Sequence, residues 1–89
     1  MRLDKFLKIS RIIKRRSIAK EIADQGRITI NGRVAKSSTN VVVNDKLVIK
    51  FGNKTLTVRV DALLETTKKD DAERMFTILA EDYEKDYRK

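Results

Sequence analysis

The 89-residue chain contains neither cysteine nor histidine, and each absence closes off chemistry. Without cysteine there is no disulfide framework, no thiol nucleophile and no thiolate metal site, which suits a cytosolic protein. Without histidine the usual general base at neutral pH is missing, and with it most zinc ligand sets. Glycine is scarce: Gly26, Gly32 and Gly52 stand alone, so neither a P-loop nor a dinucleotide fingerprint can be drawn. Long apolar runs are lacking too. Val41 to Val43 and Leu47 to Ile49 are far too short to span a bilayer, and Met1 is followed by mixed charge rather than a signal-peptide core. Catalysis by carboxylates alone needs paired acids in a cleft, and most acids here fall toward the C-terminus. The expectation is a soluble, cytoplasmic, non-enzymatic protein with no catalytic residue, cofactor, metal site or membrane partner.

What the chain has is positive charge, unevenly placed. Residues 1–27 hold nine Lys or Arg against Asp4, Glu21 and Asp24, a net of +6. Residues 28–60 add six basic side chains against Asp45 alone, and residues 61–89 reverse the trend with six basic against nine acidic. A solvated face gives no reason for the two parts to differ in sign. A basic surface on a small domain attracts a polyanion through many ion contacts and counterion release, and nucleic acid is the commonest such partner.

Apolar spacing divides the chain into short elements. Leu3, Phe6 and Leu7 recur at i, i+3 and i+4 and predict a helix over residues 2–10. After a basic connector from Arg11 to Arg16, Ser17 is placed to cap a second helix whose buried stripe is Ile18, Ala19, Ile22 and Ala23 and which ends at Gly26. Asn31-Gly32 tolerates positive φ at both positions and predicts a tight hairpin between Arg27–Ile30 and Arg33–Lys36. Leu47, Ile49 and Phe51 alternate with Lys46, Val48 and Lys50, and Leu56, Val58 and Val60 with Thr57 and Arg59, so a second hairpin turns at Gly52-Asn53, with a further turn at Asn44-Asp45. Ala72, Met75, Phe76, Leu79, Ala80 and Tyr83 follow helical spacing and predict a C-terminal amphipathic helix, opened by Thr67 and Asp70 at capping-box spacing, with 84–89 fraying. The fold class is α+β: two helices on a short antiparallel sheet, plus a C-terminal helix, divided into one folded unit at 1–62 that carries the basic excess and an appended segment at 63–89.

Lys14, Arg15 and Arg16 are three adjacent cations that repel one another, a density a soluble loop does not need, so phosphate contact is the better reading. Lys5, Lys8 and Arg11 lie beside that connector. Asp4 either pairs with Lys8 at i, i+4 or orients a neighbouring arginine. Arg27, Arg33 and Lys36 bracket the Asn-Gly turn and either extend the patch or form a solvated strand face. Phe6, Phe51, Met75, Phe76 and Tyr83 read as packing residues, and with no exposed aromatic platform the chain fits structured RNA recognised by shape and backbone.

The order of helix, basic connector, helix, Asn-Gly hairpin and second hairpin resembles the small RNA-binding domain named after ribosomal protein S-four. Arg2-Leu3-Asp4-Lys5-Phe6-Leu7 is similar to its opening signature, Lys14-Arg15-Arg16-Ser17 with Ala19 to its connector, and Gly26-Arg27-Ile28 with Val34 and Lys36 around Asn31-Gly32 to its centre. Residues 1–60 are covered. The family commonly has Gly-Asp where this chain has Asn44-Asp45, and Asn tolerates the positive φ that such a turn requires. The resemblance implies that Arg2 and Arg16 face RNA. Similarity to the short stand-alone members, carried by 2–16, 19–30, Phe51-Gly52 and Thr66-Thr67-Lys68-Lys69, implies a bacterial factor that contacts rRNA of the large ribosomal subunit and peptidyl-tRNA; the chain is expected to act as a monomer. The same similarity implies support, with a partner protein, for untemplated C-terminal tailing of a stalled chain. Longer heat-shock members suggest recycling of free large subunits instead. A DNA-binding helix-turn-helix is weakened by Glu21 and Asp24 on the second helix, and membrane-surface binding by the small apolar area of the first.

Overall fold

Leu3, Phe6 and Leu7 are fully buried on one face of the first helix, α1 (Leu3–Ile9), in a computed structural model that describes residues 1–65 and 68–83. Its opening amides, orphaned within the helix, are taken up from outside: Leu3 N–H donates to Thr39 O (2.8 Å) and Asp4 N–H to Ser37 O (3.1 Å). After Ser10 the chain turns sharply through Arg11, which adopts φ +64°. The second helix, α2 (Arg16–Asp24), packs on α1 through the buried Ala19 and Ala23, whose small side chains allow close approach. Two details differ from expectation. The cap of α2 is Arg15 rather than Ser17: Arg15 O accepts from Ile18 and Ala19, and no side chain caps the helix. With the cap two residues earlier, Arg16 is the first helical residue and lies within reach of Asp4. Ile18, at the rim of the first turn, is 42% exposed and lies outside the buried stripe.

Among the described residues the sheet has five antiparallel strands in the order β2-β1-β3-β4-β5. β1 (Ile28–Ile30) and β2 (Arg33–Val34) are joined by Asn31 at φ +51° and Gly32 at φ +86°, the two positive values that a type I′ hairpin turn demands. β2 stops at Val34, two residues short of the expected strand, because the chain turns at 36–39 to meet the start of α1. β3 (Lys46–Phe51) and β4 (Lys54–Val60) pair around Gly52-Asn53, from Phe51 opposite Lys54 to Lys46 opposite Arg59. Asn44 takes φ +78°, so the substituted turn is intact. Asn31 ties the two turns together: its Oδ1 accepts from Lys46 N–H (2.9 Å) and its Nδ2 donates to Asp45 Oδ1 (2.9 Å). Leu47, Ile49, Leu56, Val58 and Val60 form one core with Leu3, Phe6, Leu7, Ala19 and Ala23, and Phe51 packs at its edge.

The C-terminal region departs from the helical expectation. Among the described residues of this region only Lys69–Glu73 is helical, as α3, capped at Lys68; the expected capping residue Thr67 lies outside the described residues, as does 84–89. Phe76–Tyr83 is a strand, β5, that pairs with the outer edge of β4. Phe, Thr and Ile suit a strand, and β4 offers an open row of backbone donors and acceptors that a helix would leave unused. The register slips between Thr57 and Val58: Ala80 faces Thr57 and Ile78 faces Val58, leaving Leu79 as the extra residue of a bulge. That insertion breaks strict alternation and puts the apolar residues at spacings that mimic a helix. Met75 is fully buried and Phe76 half-buried, as packing residues should be, but Tyr83 is 64% exposed on the sheet edge, with Lys54 Nζ 5.8 Å from its ring centroid. The expected boundary at 62/63 falls between β4 and α3, and β5 returns to the same sheet.

Candidate nucleic-acid interface

Asp4 sits in the first turn of α1 with its side chain only 4% exposed, and it is surrounded by cations. Lys5 N–H donates to Oδ1 (2.8 Å), Arg2 donates through Nε to Oδ1 (3.2 Å) and through Nη2 to Oδ2 (3.3 Å), and Arg16 Nη2 donates to Oδ1 (3.4 Å). Arg16 Nε lies 3.4 Å from Oδ2, so both guanidiniums engage both carboxylate oxygens. Burial pushes the Asp4 carboxyl up, but the hydrogen bonds from Arg16 and Arg2, the Arg16 charge and the Lys5 amide outweigh it and hold the group below the usual carboxylate range. The arginines keep 48% and 46% of their side-chain surface exposed. Two fixed, half-solvated guanidiniums on a buried counter-charge can still offer hydrogen bonds outward to phosphate. Of the two roles open for Asp4, it orients arginines rather than pairing with Lys8.

The backbone holds this hub at both ends. Arg2 forms an antiparallel bridge with Asn40, and Val41 N–H donates to Met1 O (2.7 Å), so Arg2 is tied down despite its place near the terminus. Ser37, whose carbonyl receives the Asp4 amide, donates its own N–H to Asp24 Oδ1 (3.1 Å) and its hydroxyl to Oδ2 (3.3 Å) at the last turn of α2. Those bonds, the backbone one foremost, hold the Asp24 carboxyl below its usual range. The ring from Asp4 through Arg16, α2, Asp24 and Ser37 returns to Asp4.

Beside the hub lies a concavity of about 870 Å³ lined by Lys5, Lys8, Ile9, Arg11, Lys14, Glu65 and Lys69. Lys5 and Lys8 project from successive turns of α1, and the reversal at Arg11 brings Lys14 to the same side. Lys5 Nζ forms an ion pair with Glu65, whose carboxyl is lowered by that hydrogen bond and then by the Lys5 charge. Of the cations singled out in the sequence, the fold thus gathers Arg2 and Arg16 on Asp4, and Lys5, Lys8, Arg11 and Lys14 in the concavity. Arg15, Arg27, Arg33 and Lys36 join neither group: Arg15 caps α2, Arg27 precedes β1, Arg33 follows the tight turn, and Lys36 stands before Ser37 with its charge near Asp24. Glu65 and Lys69 are the charged lining residues that sequence reasoning did not assign to the site. The one available signal was Lys68-Lys69, a basic pair in an otherwise acidic stretch.

The model of the S4 domain matches residues 1–47. The chain is 60% identical over 82 residues to the RQC P-site tRNA stabilizing factor of Bacillus subtilis, covering 92% of this chain and 95% of that protein. It is 59% identical over 81 residues to the factor of the same name from Streptococcus pneumoniae, covering 91% and 92%. Heat shock protein 15 of Escherichia coli is more distant, 35% identical over 86 residues that span 96% of this chain and 65% of that one. Among solved structures, a trimeric heat shock protein 15 from Vibrio cholerae superimposes with a TM-score of 0.82 at 26% identity, over 90% of this chain and 82% of that one. With the domain signature placed on α1, the connector, α2 and the first hairpin, and with similarity continuing through β5, the chain belongs to the S4-domain family, on the branch of the RQC P-site tRNA stabilizing factors.

Proposed function

We propose that this protein is a non-catalytic RNA-binding factor that sits on the large ribosomal subunit and steadies peptidyl-tRNA in the P site during ribosome-associated quality control. On this reading it acts in the cytoplasm as a monomer and supports tailing of the stalled chain by a partner protein. Residues 1–62 carry the RNA-binding unit, with 63–89 appended to it. The carrying observation is the Asp4 hub, which presents Arg2 and Arg16 half-exposed and preset in direction. Fixed guanidiniums recognise phosphate without first losing side-chain freedom, which favours positioning of a structured RNA over loose charge attraction. The names of the relatives near 60% identity favour P-site tRNA over recycling of free subunits, since heat shock protein 15 stands at 35%.

The test is co-sedimentation with purified large subunits, with and without peptidyl-tRNA, for wild type and Arg2→Ala/Arg16→Ala. Each lost charge-assisted contact is expected to weaken binding by about 1–3 kcal/mol, so the double variant should leave the particle. Wild-type binding should also fall steeply with KCl, by about 0.9 counterions per phosphate on the DNA-duplex scale. Undiminished co-sedimentation by a double variant with a normal circular dichroism spectrum and thermal melt would overturn the assignment.

A further inference from the structure

The concavity beside the hub combines residues from two separated parts of the chain. Lys5, Lys8, Arg11 and Lys14 come from α1 and the connector, whereas Glu65 and Lys69 come from beyond the stretch matched by the S4 domain. Five cations face one acid there. Glu65 meets Lys5 across sixty positions of sequence, yet its side chain is 72% exposed. An ion pair that open to water is weak and readily exchanged for another anion.

We propose that this groove is a second contact for the RNA phosphate backbone, completed by Lys69 from outside the S4 domain, in which Glu65 serves as an internal anion that a phosphate must displace from Lys5. The inference rests on the RNA-binding reading above and adds to it a site, two residues and a selectivity device. Converging cations favour any polyanion, and loose binding to cellular RNA is the hazard of such a surface. Glu65 works against that hazard. A ligand making one or two contacts gains little from displacing it, whereas a backbone that engages several of the lining cations offsets the lost ion pair through counterion release.

The experiment measures binding of the full chain to a fluorescein-labelled, blunt-ended RNA duplex across a KCl series. Glu65→Gln is expected to bind about two- to fivefold tighter than wild type, the range set by the strength of an exposed ion pair. Its log affinity against log salt should also steepen, because Lys5 then neutralises a phosphate without a competing carboxylate beside it. Lys69→Gln should move both quantities the other way. Asp82→Asn, which removes the same charge from exposed β5, controls for net charge and should change binding far less. In a Lys5→Gln background, Glu65→Gln should lose its effect. Equal tightening by Asp82→Asn and Glu65→Gln, survival of the full Glu65 effect without Lys5, or an unchanged Lys69→Gln would each overturn the proposal. Glu65→Ala repeats the first arm, and thermal melts accompany every variant. The outcome is separable from that of the ribosomal reading: a groove effect on duplex RNA, together with wild-type sedimentation of Arg2→Ala/Arg16→Ala, would keep the groove and remove the hub assignment.

Discussion

Arg16 reaches from the first turn of α2 to the buried carboxylate of Asp4, with Nε 3.4 Å from Oδ2 and Nη2 3.4 Å from Oδ1. This contact joins the two helices at the point where Arg2 also arrives, so an acid inside a strongly basic region serves to aim its cations. The position of Asp4 in the first turn of a helix adds favourable alignment with the helix dipole.

Asp4→Asn therefore has an expected sign opposite to that of simple charge counting. Removing a negative charge should strengthen attraction to RNA if net charge alone governs binding. Here it releases two guanidiniums from their fixed direction, so affinity for large subunits should fall, with a loss of stability of about 1–3 kcal/mol from weakened buried hydrogen bonds. Co-sedimentation with a parallel urea titration separates the two effects. Tighter binding by a stable Asp4→Asn protein would show that the hub does not orient the arginines for RNA.

Acid sensitivity should follow from the same group. The folded-state pKa of Asp4 lies below its usual 3.8, so its stabilising contribution is fully present above that value and is lost as pH falls through the lowered one. Asp24, Asp61 and Glu65 are shifted in the same direction, but Asp24 and Glu65 are exposed and Asp61 is partly so, and water screens their share. Thermal melts between neutral pH and about pH 3 should show wild type losing stability mainly below about pH 4. Asp4→Asn should start lower at neutral pH and decline less, the two curves converging in acid. Parallel curves would remove Asp4 as a source of the acid dependence.

Asn31 has two roles that substitution can divide. Its backbone occupies φ +51°, and its side chain links Lys46 and Asp45. Asn31→Gly keeps the conformation and loses the side-chain bonds, for an expected loss of about 1–2 kcal/mol. Asn31→Ala loses both and should lose a further ~1 kcal/mol or more from left-handed strain. Chemical denaturation of the three proteins checks the order; equal stability for Ala and Gly would place the whole effect in the side-chain bonds.

Most of the first sixty residues were legible because neighbouring local signals agreed, the start of α2 and the end of β2 excepted. Leu3, Phe6 and Leu7 fall on one face, Asn31-Gly32 has the backbone freedom its turn uses, and strict alternation in β3 and β4 matches their burial. The role of Asp4 was open because i, i+4 spacing suggested Lys8 as strongly as any arginine; only the packing of α2 brings Arg16 to it. Ser17 misled because the helix start is set by the Arg16–Asp4 tertiary contact rather than by a local cap. Glu65 and Lys69 could not be assigned to the site, even with Lys68-Lys69 standing out as a basic pair, because the groove is made by chain folding between distant segments. β5 was misread because its bulge at Leu79 erases the period of two that would have marked it.

The strand assignment of 76–83 carries its own prediction. As a helix laid over a finished sheet, this segment would be removable at modest loss, leaving β4 as it was. As β5 it covers the outer edge of β4 along nearly its whole length, and Phe76 packs against the core beside Val60. A chain ending at residue 75 should expose a row of unpaired backbone groups on β4 next to Leu56, Val58 and Val60. Such edges recruit other strands, so the truncated protein should melt lower and self-associate with rising concentration. Ordered Arg2 and Arg16 would remain, since their anchors lie in α1, α2 and the 37–39 turn. Thermal melting and light scattering after size exclusion provide the measurements. A monomeric truncated protein with a wild-type melting temperature would mean that β5 is not an integral strand of the sheet.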